Sequence, residues 1–134
     1  MTYILGTRSK SNLVGVHPDL VKVVVRALEI TPRDFAVIEG RRSSERQKEL
    51  FRDGKTKTLN SRHITGHAVD LMPYEGKDAA WNKCEEIAAA MLAAAKELGI
   101  HVRWGGDWNE NGNSKDEKFY DGPHFELSSK EYPA

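Results

Sequence analysis

Cysteine is nearly missing: Cys84 is the only one in 134 residues, so an internal disulfide and a thiolate zinc cage are both excluded. Any metal here must rest on histidine and carboxylate. Excess charge is missing too, with 20 Lys and Arg against 20 Asp and Glu, so neither nucleic acid nor membrane insertion is expected. Long apolar runs are absent. From Met1 to Leu13 the apolar residues are broken by Arg8 and Lys10, which argues against a signal peptide or a spanning helix there and leaves synthesis in the cytoplasm as the expectation. There is no repeat, no low-complexity tract and no room for a second, substrate-anchoring domain.

What remains is ordinary globular composition, 39% hydrophobic and 30% charged, enough for one core without disulfides. The expectation is a single domain over residues 1–134 with a loose tail at 128–134. Leu20, Val23, Val24, Ala27 and Leu28 recur at helical spacing after Pro18 and stop at Thr31-Pro32. Phe35 to Glu39 reads as a strand. Ser44 and Gln47 have capping-box spacing for a helix through Leu50 and Phe51 that closes at Gly54. His67 to Met72 reads as a strand ended by Pro73, and Trp81 to Leu98 as an amphipathic helix stopped by Gly99. Cys84 lies on its apolar stripe with Trp81, Ala88 and Met91, a packing position. His101 to Trp104 and His124 to Leu127 complete the strands. The elements do not alternate as βαβ units, so the class is α+β, a small, largely antiparallel sheet flanked by about three helices.

The chemistry concentrates in two stretches. In Ser61-Arg-His63-Ile-Thr-Gly66-His67-Ala-Val-Asp70 a glycine can turn the chain so that the His63 imidazole and the Asp70 carboxylate converge on one ion. In Tyr120-Asp121-Gly-Pro-His124-Phe-Glu126-Leu127 alternation puts His124 and Glu126 on one polar strand face, which offers a third ligand and, in Glu126, an acceptor able to orient an imidazole. Two imidazoles and one carboxylate leave a fourth tetrahedral position for water, the pattern of catalytic zinc. His67 lies four residues after His63, but Gly66 argues against a helix, and in a strand His67 points away from Asp70. His17 and His101 read as surface or hydrogen-bonded residues.

The run Ser61, His63, Gly66, Ala68, Asp70, followed by Asp121 and His124, resembles the D-alanyl-D-alanine carboxypeptidase superfamily of zinc peptidases. More narrowly the chain resembles single-domain phage endolysins of the L-alanyl-D-glutamate endopeptidase type. Supporting segments are Val16 to Leu20, Asp34-Phe35, Glu39-Gly-Arg-Arg42, Glu45 to Gln47 and Trp104-Gly-Gly-Asp-Trp108, in the family's order. The resemblance implies that His63, Asp70 and His124 hold zinc, that Asp121 is the catalytic carboxylate where many relatives carry Glu, and that Arg42, rather than Arg41 beside it, steadies the substrate carbonyl. It implies a peptidoglycan stem peptide as substrate. It also implies a monomeric enzyme that waits in the host cytoplasm until a separate pore-forming protein opens the way to the periplasmic wall.

Two alternatives belong to the same resemblance: a D-alanyl-D-alanine carboxypeptidase, and a non-catalytic zinc module like the hedgehog signalling domain. Asp107, Asn109, Asn111 and Gly112 also match the first half of a calcium loop. Asp116 lies further along the loop, and Lys118 stands where that pattern expects a bidentate Glu. Calcium there would order the segment leading to Asp121 and His124.

Overall fold

The computed structural model describes residues 3–55, 61–112, 115 and 120–133. Helix α1 is Thr7–Asn12 and α2 is Pro18–Ile30, followed by strand β1 at Phe35–Glu39 and helix α3 at Ser44–Arg52. Strand β2, Ala68–Glu75, makes a small hairpin with β3, Asp78–Ala79; a 3-10 turn at Trp81–Lys83 leads into α4, Cys84–Leu98, and the strands β4, Val102–Trp104, and β5, His124–Leu127, follow. The main sheet runs β1-β2-β5-β4, and each pairing is antiparallel. The expected class is met, with α1 as an additional helix.

Register sorts the side chains into two faces, because residues two apart on a strand share a side. Val37 pairs with Leu71, Val69 with Phe125, Val102 with Leu127 and Trp104 with Phe125. All of these are buried, and they join Leu20, Val23, Val24, Ala27 and Leu28 of α2 and Ile87, Met91 and Ala94 of α4 in one core. Each large apolar side chain buried there contributes about 1.5–3 kcal/mol. The opposite face pairs Glu39 with Asp70, Asp70 with His124, and Arg103 with Glu126. Helices therefore cover the apolar face, and the other face is left for chemistry.

Three local expectations change. Helix α3 is capped by Ser43, whose hydroxyl accepts from Arg46 N–H at 3.0 Å, so Gln47 is released from the cap and lies fully buried. Strand β2 runs through Pro73, which pairs with Phe35. A proline is tolerated because the neighbouring Tyr74 N–H makes the bond to Asp34 O, and β5 pairs with β2 only from Ala68 to Asp70, short of Pro73. Trp81 is half exposed and stands on the 3-10 turn, off the apolar stripe. Gly99 closes α4 at φ +71° as expected. The segment after β5, expected to be loose, is tied down: Arg62 donates to the Leu127 and Tyr132 carbonyls at 2.7 and 2.8 Å, and Tyr132 OH donates to Asp19 at 2.7 Å.

Candidate metal centre

His63 sits on the turn before β2, Asp70 within β2 and His124 at the start of β5. One ligand atom from each lies within 4.8 Å of the others. The turn is held from both sides. Arg42 N–H donates to His63 O at 2.8 Å and His17 N–H to Gly66 O at 2.8 Å. Gly66 has φ +78°, and a Cβ there would stand 2.2 Å from the Gly15 carbonyl oxygen, so the turn needs glycine for its conformation and for its close approach.

Each imidazole is fixed through its outer nitrogen. His63 Nδ1 lies 2.8 Å from Gly40 O and His124 Nε2 lies 2.8 Å from Glu126 Oε1. A carbonyl and a carboxylate only accept, so both outer nitrogens carry hydrogen and the inner ones, His63 Nε2 and His124 Nδ1, are left as ligand atoms. They face Asp70 Oδ1 at 3.3 and 3.4 Å. That oxygen is buried and makes no hydrogen bond. An orphaned carboxylate oxygen between two imidazole nitrogens is the donor set a cation satisfies, so these residues fit a bound metal ion. Burial works against ionisation of Asp70, but its bonds and attraction to His124 and His63 prevail and hold the carboxyl below its usual range.

Arg42 is anchored around the same point. Its Nε and Nη2 donate to the two Glu39 oxygens at 2.7 and 2.8 Å, Nη1 donates to Gln47 Oε1 at 2.6 Å, and Nη2 lies 3.8 Å from Asp70 Oδ2. A guanidinium has five N–H bonds, so two remain after these three. Arg41 is exposed and packs over Gly15, where a Cβ would meet its Cδ at 2.8 Å. The structure thus puts Arg42 beside the cluster and Arg41 outside it.

Asp121 is brought in by the turn before β5. Its N–H donates to Gly105 O at 2.8 Å, and its carbonyl accepts from His124 N–H at 3.1 Å. A Cβ on Gly105 would lie 2.3 Å from Asp121 O and 3.0 Å from His124 Cβ, which explains the glycine after Trp104. Partial burial raises the Asp121 carboxyl above its ordinary value, and Asp70 adds to this while His124, His63 and Arg42 oppose it. Three of these neighbours are the cluster itself and Arg42 stands beside it, so Asp121 shares its field. Cys84 is buried, and its thiol is pushed up to about 11 first by burial and then by Asp121, which suits packing and not nucleophilic work.

His67 lies 5.5 Å from His17, ring to ring, and its Nδ1 meets the Thr65 hydroxyl, so it faces away from the metal cluster as alternation requires. Glu126 is buried against His124. The Asp107 carboxylate accepts from Asn111 N–H and Gly112 N–H at 3.2 and 2.8 Å, and Asn109 Oδ1 accepts from Asn111 N–H at 3.3 Å. Asp116 lies outside the described residues. Sequence reading missed the braces: Gly40 O on His63, Gln47 on Arg42, and Trp104, whose indole N–H donates to Gly122 O at 2.7 Å. Only the Glu39-Gly-Arg-Arg42 and Trp104-Gly-Gly segments hinted at them.

Fold and cluster together define a small α+β domain that carries a His–Asp–His group for one ion on the polar face of its sheet. Within that class the chain belongs to the phage L-alanyl-D-glutamate peptidase family, whose profile matches residues 1–128. It is 39% identical over 136 residues to the L-alanyl-D-glutamate peptidase of Escherichia phage T5, covering 95% of this chain and 99% of that one. The peptidoglycan L-alanyl-D-glutamate endopeptidase CwlK of Bacillus subtilis is 31% identical over 115 residues, 70% of this chain and 60% of its own. The crystal structure of the Serratia marcescens L-Ala D-Glu endopeptidase ChiX superposes with a TM-score of 0.86 at 44% identity, covering 98% of this chain and 95% of that one.

Proposed function

We propose that this protein is a zinc-dependent endopeptidase that cuts the L-alanyl-D-glutamate bond of the peptidoglycan stem peptide during phage-induced host lysis. The observation that carries the proposal is the orphaned Asp70 oxygen facing two imidazoles whose outer nitrogens are already engaged. His63, Asp70 and His124 would hold the zinc. Bound there, zinc would supply a Lewis acid and bring the pKa of water down towards about 7.

The protein's own groups do the rest. Asp121 takes a proton from the attacking water as it adds to the scissile carbonyl, and returns it to the departing amine as the C–N bond breaks. Its raised value makes it a stronger base, which favours taking the proton from the water. Arg42, fixed by Glu39 and Gln47, directs its remaining N–H bonds at the negative charge that develops on the carbonyl oxygen. A donor held in advance costs no reorganisation in the transition state.

The enzyme would act as a monomer and reach the wall once a separate pore-forming protein has opened the membrane. The loop from Asp107 would take calcium through Asp107, Asn109, Asn111 and Asp116; heat on titrating calcium into zinc-loaded protein supports this, and its absence overturns it.

Digesting purified peptidoglycan and reading the new termini by mass spectrometry tests the reaction. New C-terminal L-alanine and N-terminal D-glutamate are expected. Release of free D-alanine would mean an exopeptidase, and no product with stoichiometric zinc bound would mean a binding module.

A further inference from the structure

Glu126 does more than touch His124. Its Oε2 accepts from Arg103 Nη2 at 2.9 Å, and Arg62 Nε lies 3.8 Å from the same oxygen, while Oε1 accepts from His124 Nε2–H. The carboxylate is only 3% exposed, so without the arginines it would be a buried, unbalanced charge. Trp108 closes the assembly. Its ring lies 5.2 Å from the His124 ring, and the Arg103 guanidinium carbon lies 5.1 Å from its centroid. One indole therefore borders both groups that Glu126 bonds.

We infer that Arg103 and Trp108 are positioning residues of the metal centre, Arg103 acting on His124 through Glu126 and Trp108 by packing against the His124 ring and the Arg103 guanidinium. The chain of cause runs from the β4 strand, through the guanidinium, to a carboxylate that can accept the Nε2 hydrogen from one direction only. His124 is thereby kept in the tautomer and ring orientation that present Nδ1 beside Asp70. Neither residue touches the reacting atoms. The register makes this economical, since Arg103 and Glu126 are direct cross-strand partners and Glu126 is two residues from His124 on the same face. The inference rests on His124 being a metal ligand, as proposed above.

Competition against a chromophoric chelator measures zinc affinity, and cobalt substitution gives a visible absorption spectrum that reports ligand geometry. Arg103→Met and Trp108→Ala should each weaken zinc about 10- to 100-fold, the usual effect of losing a partner that orients a ligand, and should alter the cobalt bands. Trp108→Phe should restore most of the loss. Because Arg103 acts through Glu126, adding Arg103→Met to Glu126→Met should cost little more than Glu126→Met alone. Full additivity would overturn the inference, as would unchanged affinity and spectrum in Trp108→Ala, which carries the test if Arg103→Met fails to fold. Wild-type protein that takes up no cobalt, or His124→Ala that binds as tightly as wild type, would sink the metal-centre reading instead.

Discussion

Asp121 and Arg42 are held differently, so their replacements should fail differently. The Asp121 side chain feels the cluster's charges through space, whereas Arg42 is bonded to Glu39 and to the fully buried Gln47. Asp121→Asn should lower kcat by about 10²–10⁴-fold with zinc content stoichiometric and melting unchanged; steady-state kinetics beside metal analysis checks this, and unaltered lysis would mean another group moves the proton. Arg42→Ala should cost activity about 10²–10³-fold and also stability, by about 1–3 kcal/mol, because it removes the bonds that the buried Gln47 amide and the Glu39 carboxylate accept from it. Arg41→Ala should do neither. In the sequence only the resemblance favours Arg42 over Arg41, since adjacent positions differ only in where a loop aims them.

At the scale of elements, legibility followed the length of the signal. The apolar stripes of α2 and α4 and the alternation in β1 and β5 could be read because burial repeats along them. Helix α1 escaped because only Ser9 within it is buried, and a six-residue helix of polar residues has no stripe. Strand β2 extends beyond the proline expected to end it because the neighbouring Tyr74 carries the ladder bond. The ligands could be read from motif and turn chemistry, but their braces are single bonds between distant segments, such as His63 to Gly40, and leave no periodic trace. Helix α3 gives a clean test. Ser43→Ala should destabilise by about 1 kcal/mol by removing the bond to Arg46 N–H, while Ser44→Ala should be nearly neutral, as thermal melts would reveal. Gly66→Ala should be far worse than Gly76→Ala. Both have positive φ, but only at Gly66 does backbone stand in the way of a Cβ, so loss of metal uptake is expected for Gly66→Ala alone.

Across the whole molecule, the ion would join two stretches that the chain keeps far apart, and a proton can partly stand in for it. With no ion bound, burial of the His124 ring disfavours its charge, yet the neighbouring Asp70 and Glu126 carboxylates outweigh this and raise it to about 9. Below that pH the metal-free protein holds a proton on His124, whose charge lies between two carboxylates, so chelation should lower the melting temperature without unfolding the chain. Zinc must displace that proton, so its apparent affinity should fall about tenfold per pH unit below the His124 value. The stabilisation zinc confers by mass action then shrinks by about 1.4 kcal/mol per unit, as long as binding remains saturated. Thermal scans of zinc-loaded and chelated protein should therefore show a wide gap in melting temperature in mild alkali that closes on acidification, with proton release measurable by calorimetry in buffers of different ionisation heat. A gap that does not vary with pH would mean that zinc and the proton do not compete for His124.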